Sequence, residues 1–221
     1  MIKKIIQETK NLIGSKKDID ALAVKEHARL LVISDSHGHY QTLEEIVKRY
    51  GSHCDGLVFC GDGAGDISQL LKLSKNDSDL RACIPPVIAL ARGNGDPSTY
   101  PVDSDLSIFI PNAQIFTVNG RSILLVHGHR EAVDFGMENL GLEMQLSDCK
   151  LAFYGHTHIA REERSDDYMF VNPGSCARPR GGQPAGFAIA TIEKNFVDIA
   201  FIKMEMNDRG EKIYSIWTPY Y

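Results

Sequence analysis

The sequence predicts an α/β protein of mixed α+β type, with two packed β-sheets flanked by helices. Short apolar runs at 30–33, 57–60, 87–91, 123–126 and 151–154 read as buried strands. Helical periodicity lies between the early runs, the rhythm of parallel strands joined by crossover helices. Beyond residue 113 the pattern changes to hairpins, and two packed sheets accommodate both halves.

In chain order, Ile2, Ile5, Ile6 and Ile13 recur at helical spacing with Lys3, Lys4 and Lys10 between them. Residues 1–28 are therefore expected to form an N-terminal helical extension, with a loop over 14–18, before a main domain at 29–221. That helix packs on the domain, or it serves a membrane surface, a partner or a second copy of the chain, so a homo-oligomer is open. After His39, the residues Leu43, Ile46, Val47 and Tyr50 share one helical face, and Gly51 supplies a stop. A second helix is expected over 66–73 and a surface loop over 74–79, and Pro85-Pro86 blocks helix ahead of the next strand. Residues 95–107, with Pro97 and Pro101, read as a loop at the rim of a site.

The segment 114–118, Asn119-Gly120 and 121–126 carries a hairpin signal, because Asn-Gly suits a type I′ turn. Val133, Met137, Leu140 and Met144 mark a helix. Residues 168–171 read as a strand entering a tight turn at Asn172-Pro173-Gly174-Ser175, and 186–192 with 196–204 as a further hairpin.

Composition narrows the function. A net charge of −5 argues against a long nucleic-acid partner, which demands a basic face, but it allows a small phosphorylated substrate at a metal site. No apolar run approaches the ~20 residues of a bilayer span, so no membrane partner is expected. Five cysteines at scattered spacings, without Cys-x-x-Cys, and an N-terminus unlike a secretory signal point to reduced thiols in the cytoplasm.

The chemistry lies where the strands end. The five runs lead into Asp35-Ser36-His37, Gly61-Asp62-Gly63, Arg92-Gly93-Asn94-Gly95-Asp96, His127-Gly128-His129 and Gly155-His156-Thr157-His158. Singly each has a plain explanation, such as a helix cap at Asp35-Ser36 or a turn at Asp62. Jointly they deliver Asp35, His37, Asp62, Asn94, His127, His156 and His158 to the strand ends where α/β sheets form sites. Seven oxygen and nitrogen ligands without sulfur exceed one tetrahedral ion and suit two divalent ions sharing a bridge. Two such ions clamp an in-line displacement at phosphorus, and a hydroxide bridging them would be the nucleophile.

The order Asp-x-His, Gly-Asp, Gly-Asn, His-Gly-His, Gly-His-Thr-His, Asn-Pro-Gly-Ser resembles the calcineurin-like metallophosphoesterases. Within them it is similar to the small YfcE-type phosphodiesterases, over about residues 29 to 205. The resemblance implies a four-layer sandwich of two mixed β-sheets flanked by helices. It implies one metal on Asp35, His37, Asp62 and His158, and a second on Asp62, Asn94, His127 and His156. It also implies manganese or a similar ion (nickel, cobalt, iron or zinc).

Relatives that cleave phosphoserine place a histidine directly after the metal-binding Asn; here Gly95 follows Asn94. Diesters with acidic leaving groups are therefore expected over alkyl monoesters. His39 stands where the family more often has Asn; it either contacts a ligand or the substrate or serves as a candidate proton donor. His129 is a second candidate catalytic residue, and Arg92 and Arg130 are candidate phosphate ligands. The alternatives are a phosphomonoesterase or nucleotide pyrophosphohydrolase on the same centre, or a non-catalytic scaffold like the retromer subunit that shares this fold.

Overall fold

The computed structural model describes residues 6–7, 11–165 and 167–220. Helix α1 (Lys16–Ala23) precedes β1 (Ala28–Ile33), α2 (Tyr40–Tyr50), β2 (Gly56–Phe59), α3 (Ala64–Ser74), α4 (Ser78–Cys83) and β3 (Val87–Leu90). A small hairpin, β4 (Thr99–Pro101) and β5 (Ser107–Phe109), leads into β6 (Ala113–Val118), β7 (Arg121–Val126), α5 (Glu138–Leu146) and β8 (Leu151–Phe153). The chain ends with β9 (Ala160–Ser165), β10 (Tyr168–Pro173), β11 (Gly186–Ile192), β12 (Val197–Met206) and β13 (Lys212–Trp217).

The larger sheet has the order β13-β12-β11-β1-β2-β3 and the other β6-β7-β8-β10-β9. Both are mixed: β1, β2 and β3 run parallel, as do β7, β8 and β10, while their flanks are antiparallel. Side-chain alternation assigns the faces. Leu31 and Ile33 of β1 join Leu43 and Ile46 of α2 and Ile67 and Leu70 of α3 in an outer core. Leu30 and Val32 point the other way, into a middle core with Ile123, Leu125 and Phe153 of the second sheet. Leu124, Ala152 and Phe170 cover that sheet's far face against Leu140 and Met144 of α5. The layers are helices, sheet, sheet, helix, as expected.

Several element expectations are corrected. Residues 1–5 and 8–10 lie outside the described residues, but Gln7 and Ile13 form an isolated β-bridge and Ile13 bridges to Ile88 beside β3. The helix sits later, at α1, where a loop was expected. Ser15 starts it, accepting the Asp18 N–H at 3.1 Å and donating its hydroxyl to the Asp18 carboxylate at 2.6 Å. Asp77 caps α4 inside the expected loop by accepting the Asp79 and Leu80 N–H groups. Strand β4 interrupts the expected 95–107 loop, and α5 begins at Glu138, leaving Val133 and Met137 in the preceding turn. At the middle hairpin, Asn119 and Gly120 both have positive φ, 49° and 70°, as a type I′ turn requires.

Candidate metal centre

The C-terminal ends of β1, β2, β3, β7 and β8 meet where the two sheets face each other. The Asp35 N–H donates to the Gly61 carbonyl at 3.0 Å and the His37 N–H to the Asp62 carbonyl at 2.9 Å. These bonds lock the loops after β1 and β2 together. Across the sheets, the His156 N–H donates to Asp35 Oδ2 at 3.2 Å. Close approach demands glycine here: a Cβ on Gly93 would meet Asp62 Oδ1 at 2.0 Å, and one on Gly155 would meet Ser34 Oγ at 2.1 Å.

The backbone is strained at this place. Nine described non-glycine residues have positive φ, and five of them are Asp35, His37, Asp62, His156 and His158. Each costs roughly 1–3 kcal/mol, which persists only where surrounding bonds over-determine the conformation. Asp96 provides much of that restraint. Its Oδ2 accepts the N–H groups of Asp62 (2.7 Å) and Gly93 (3.1 Å), and its Oδ1 those of Gly63 (3.0 Å) and Ala64 (2.9 Å). Buried Asp66 accepts from the Ser36 hydroxyl at 2.5 Å and the Gly38 N–H at 3.0 Å.

The side chains converge on two neighbouring points. Asp35, His37 and His158 offer ligand atoms within 4.8 Å of one another, and so do Asp35, Asp62 and His127. Nε2 of His37 and Nε2 of His158 are 3.0 Å apart. Fully buried Asp35 Oδ1 takes no aligned hydrogen bond and lies 3.2 Å from His158 Nε2 and 3.7 Å from His37 Nε2. Asp62 Oδ2 is 3.8 Å from His37 Nε2 and 3.7 Å from His127 Nε2. Asn94 Oδ1 lies 3.3 Å from His127 Nε2 and 3.1 Å from His156 Nδ1.

The far ring nitrogens explain why this set suits a cation. His127 Nδ1 donates to the Cys60 carbonyl at 2.7 Å and His158 Nδ1 to the Arg178 carbonyl at 2.6 Å. His156 Nε2 faces Asp134 Oδ2 at 2.8 Å. A neutral imidazole has one proton, and each of these acceptors claims it. The near nitrogens are then lone pairs aimed at acceptor oxygens, an arrangement that is repulsive until positive charge enters between them. Proton affinities follow the same logic. Burial lowers the His158 pKa, but the Asp35 carboxylate and the Arg178 carbonyl outweigh it, and the balance is upward. For His37 burial prevails over Asp35 and Asp62, and the pKa is lowered.

The other expected site residues are placed unequally. Half-buried His129 stacks near His127 and His156, with ring centroids 5.3 and 6.0 Å away, and its Nδ1 is buried without a hydrogen bond. Burial, then His127 and His156, depress its pKa. Arg92 is half-buried with an unpartnered Nε, and Arg130 is exposed. His39 is exposed at the start of α2 and makes no side-chain cap bond. Sequence reasoning missed Asp66, Asp96 and Asp134. Asp96 had a signal, a carboxylate inside the quoted Gly-Asn-Gly-Asp cluster; Asp134, in an irregular turn, had none. The Asn172-Pro173-Gly174-Ser175 turn reaches the site, with Ser175 Oγ donating to the Asp35 carbonyl at 2.7 Å. Beside the cluster lies a cleft of 260 Å³ walled by His37, Asp62, Asp66, Asp96, Pro97 and Tyr100.

Residues 29–195 match the calcineurin-like phosphoesterase superfamily domain. The chain belongs to that superfamily. YsnB of Bacillus subtilis, named a probable metallophosphoesterase, is 26% identical over 181 residues, covering 81% of this chain and 93% of its own. The phosphodiesterase YfcE of Escherichia coli K12 is 29% identical over 167 residues, 73% of this chain and 86% of its own. In fold, the chain is similar to Vacuolar Protein Sorting 29 of Cryptosporidium parvum, with a TM-score of 0.66 at 17% identity over 87% of this chain and 98% of that one.

Proposed function

We propose that the protein is a dinuclear metal-dependent phosphodiesterase acting on small substrates. The observation that carries this reading is the convergence of imidazole and carboxylate lone pairs while the far nitrogens of His127, His156 and His158 are committed to other acceptors. Asp35, His37, Asp62 and His158 would hold one ion, and Asp62, Asn94, His127 and His156 the other, with Asp62 between them. An oxygen and imidazole set without thiolate suits manganese, with nickel, cobalt, iron or zinc as substitutes. Two divalent ions there would supply Lewis acidity and the hydroxide that attacks phosphorus.

The chain's own groups would position the substrate. Asp62 is held because its Oδ1 accepts the Gly95 N–H at 2.8 Å. His129, with its unpartnered Nδ1, would donate to a phosphate oxygen, and Arg92 and Arg130 would add positive charge around it. His39, the neighbour of Gly38 in the cleft wall, would donate a proton to the leaving group. Gly95 supplies no proton donor next to Asn94 and leaves the exposed His39 as the donor for the leaving group, so diesters with acidic leaving groups, which need that proton least, are favoured over alkyl monoesters. Residues 29–221 would form the catalytic body, with 1–28 an N-terminal addition whose described residues from Asn11 onward pack on it. A cytoplasmic setting would suit the five unpaired cysteines.

The test is reconstitution of metal-stripped protein with Mn, Ni, Co or Zn, assayed on an aryl diester, an aryl monoester and cyclic nucleotides. Diester hydrolysis should be fastest, and Asp62→Ala should abolish it. If no metal elicits turnover, or Asp62→Ala matches wild type, the catalytic reading fails and an interaction scaffold takes its place.

A further inference from the structure

Three histidines of the cluster have a far nitrogen with an identified acceptor, and one acceptor differs in kind. His127 and His158 use backbone carbonyls, those of Cys60 and Arg178. Such partners are neutral, and no side-chain substitution removes them. His156 instead faces a carboxylate, with Asp134 Oδ2 at 2.8 Å from Nε2.

The chain on both sides of Asp134 is fixed. The residue lies in the turn between β7 and α5, where buried Val133 anchors the chain and donates its N–H to the Gly128 carbonyl at 3.2 Å. On its other side the Phe135 N–H donates to the Ala132 carbonyl at 2.9 Å. The side chain is 45% exposed. As a surface ion pair the contact would add little to stability. As the second partner of a metal-binding imidazole it has a larger effect, because a carboxylate fixes the ring orientation and raises the basicity of the opposite nitrogen. That opposite nitrogen, Nδ1, is the one beside Asn94 Oδ1 at 3.1 Å.

We propose that Asp134 is a positioning residue for the second metal position, holding His156 with Nδ1 toward Asn94 and so setting the affinity for the ion bound there. The inference rests on the dinuclear reading. Asp134 is not among the seven proposed ligands, and its side chain contacts His156. It acts through His156 alone, so its removal separates the two positions: the one on Asp35, His37 and His158 keeps its backbone-anchored imidazole, while the one on Asn94, His127 and His156 loses an orienting charge.

The experiment is calorimetric titration of Mn²⁺ into the metal-stripped full-length protein and its Asp134→Asn and Asp134→Glu variants, with thermal melting of each metal-free form. Wild type should take up two ions. Asp134→Asn should weaken one of them by about ten- to a hundredfold, with the other and the metal-free melting temperature unchanged. Asp134→Glu, which restores the carboxylate, should recover part of the loss. Two ions bound equally well in Asp134→Asn overturn the inference alone. Parallel weakening of both ions overturns it in favour of a structural role. Fewer than two ions in wild type overturn the dinuclear reading and the inference with it.

Discussion

The Asp96 carboxylate accepts the backbone N–H of Asp62 at 2.7 Å, and it holds three further N–H groups, those of Gly63, Gly93 and Ala64 at the start of α3. One side chain thus ties together the two loops that present Asp62 and Asn94. Hydrogen bonds to a charged acceptor contribute roughly 1.5–3 kcal/mol each, less where water replaces the acceptor. Asp96→Ala should destabilise the protein by about 3 kcal/mol by this scale, and weaken metal binding with it. Chemical denaturation and metal titration of the variant measure both. Unchanged metal affinity would show that the loops hold their shape without Asp96.

Gly95 offers a gain-of-function test. A Cβ there would come within 3.3 Å of Asp62 Oδ1, a contact that a shift of a few tenths of an ångström relieves. Gly95→His would place an imidazole directly after Asn94. Turnover of an alkyl phosphomonoester should rise relative to an aryl diester, toward the roughly hundredfold that a positioned proton donor contributes. An unchanged ratio would remove the leaving-group argument for diester preference.

His39 and His129 separate by the leaving group they serve. His39→Ala should depress alkyl-ester hydrolysis far more than aryl-ester hydrolysis, because only the poor leaving group requires a proton. His129→Ala should depress both alike, as loss of a phosphate contact does. Equal losses on both substrates in His39→Ala would sink its role as proton donor.

Outside the ligand cluster, Glu45 of α2 pairs with Lys212 of β13 and accepts the Tyr214 hydroxyl. Burial would raise the Glu45 pKa, but these two bonds outweigh it, and the balance is downward. A depressed carboxylate pKa contributes stability that is present above the ordinary value of about 4.3 and lost as pH falls through the folded one. With side chains 41% and 32% exposed, the contribution is at most about 1 kcal/mol. Glu45→Gln should therefore be less stable than wild type at pH 6, and the difference should close toward pH 3. Denaturation at both pH values reads it directly.

How far the sequence disclosed this molecule depended on whether local pattern or long-range pairing decides a segment. Strands β1, β2 and β3 are buried on both faces and read directly as apolar runs, and their polar ends read as ligands. The edge strands did not. Ala160–Ser165 carries Arg161, Glu162, Glu163 and Arg164, and only its pairing with Tyr168–Pro173 makes it a strand. The Ser15-x-x-Asp18 start of α1 was a legible cap that the surrounding lysines obscured. Site residues at strand ends were visible because chemistry and topology coincide there. Asp134 reaches His156 only through the three-dimensional turn, and no spacing announces it.

Ile13 separates the stability of the fold from its chemistry. It is fully buried in the outer core and pairs with Ile88 through two backbone bonds of 2.8 and 2.9 Å, extending the sheet beyond β3. The stretch before the family-matched region thus supplies core surface to the sheet that presents Asp35, Asp62 and Asn94. Truncating such a side chain costs the lost transfer energy plus the cavity left behind, about 2–5 kcal/mol. Ile13→Ala should lower the melting temperature accordingly, while the backbone bridge persists and the ligand geometry is kept. Metal affinity and diester kinetics at low temperature should then match wild type. A variant that melts normally would mean that the N-terminal segment leaves the body in solution, and one that loses metal at low temperature would mean that this core edge also tunes the site.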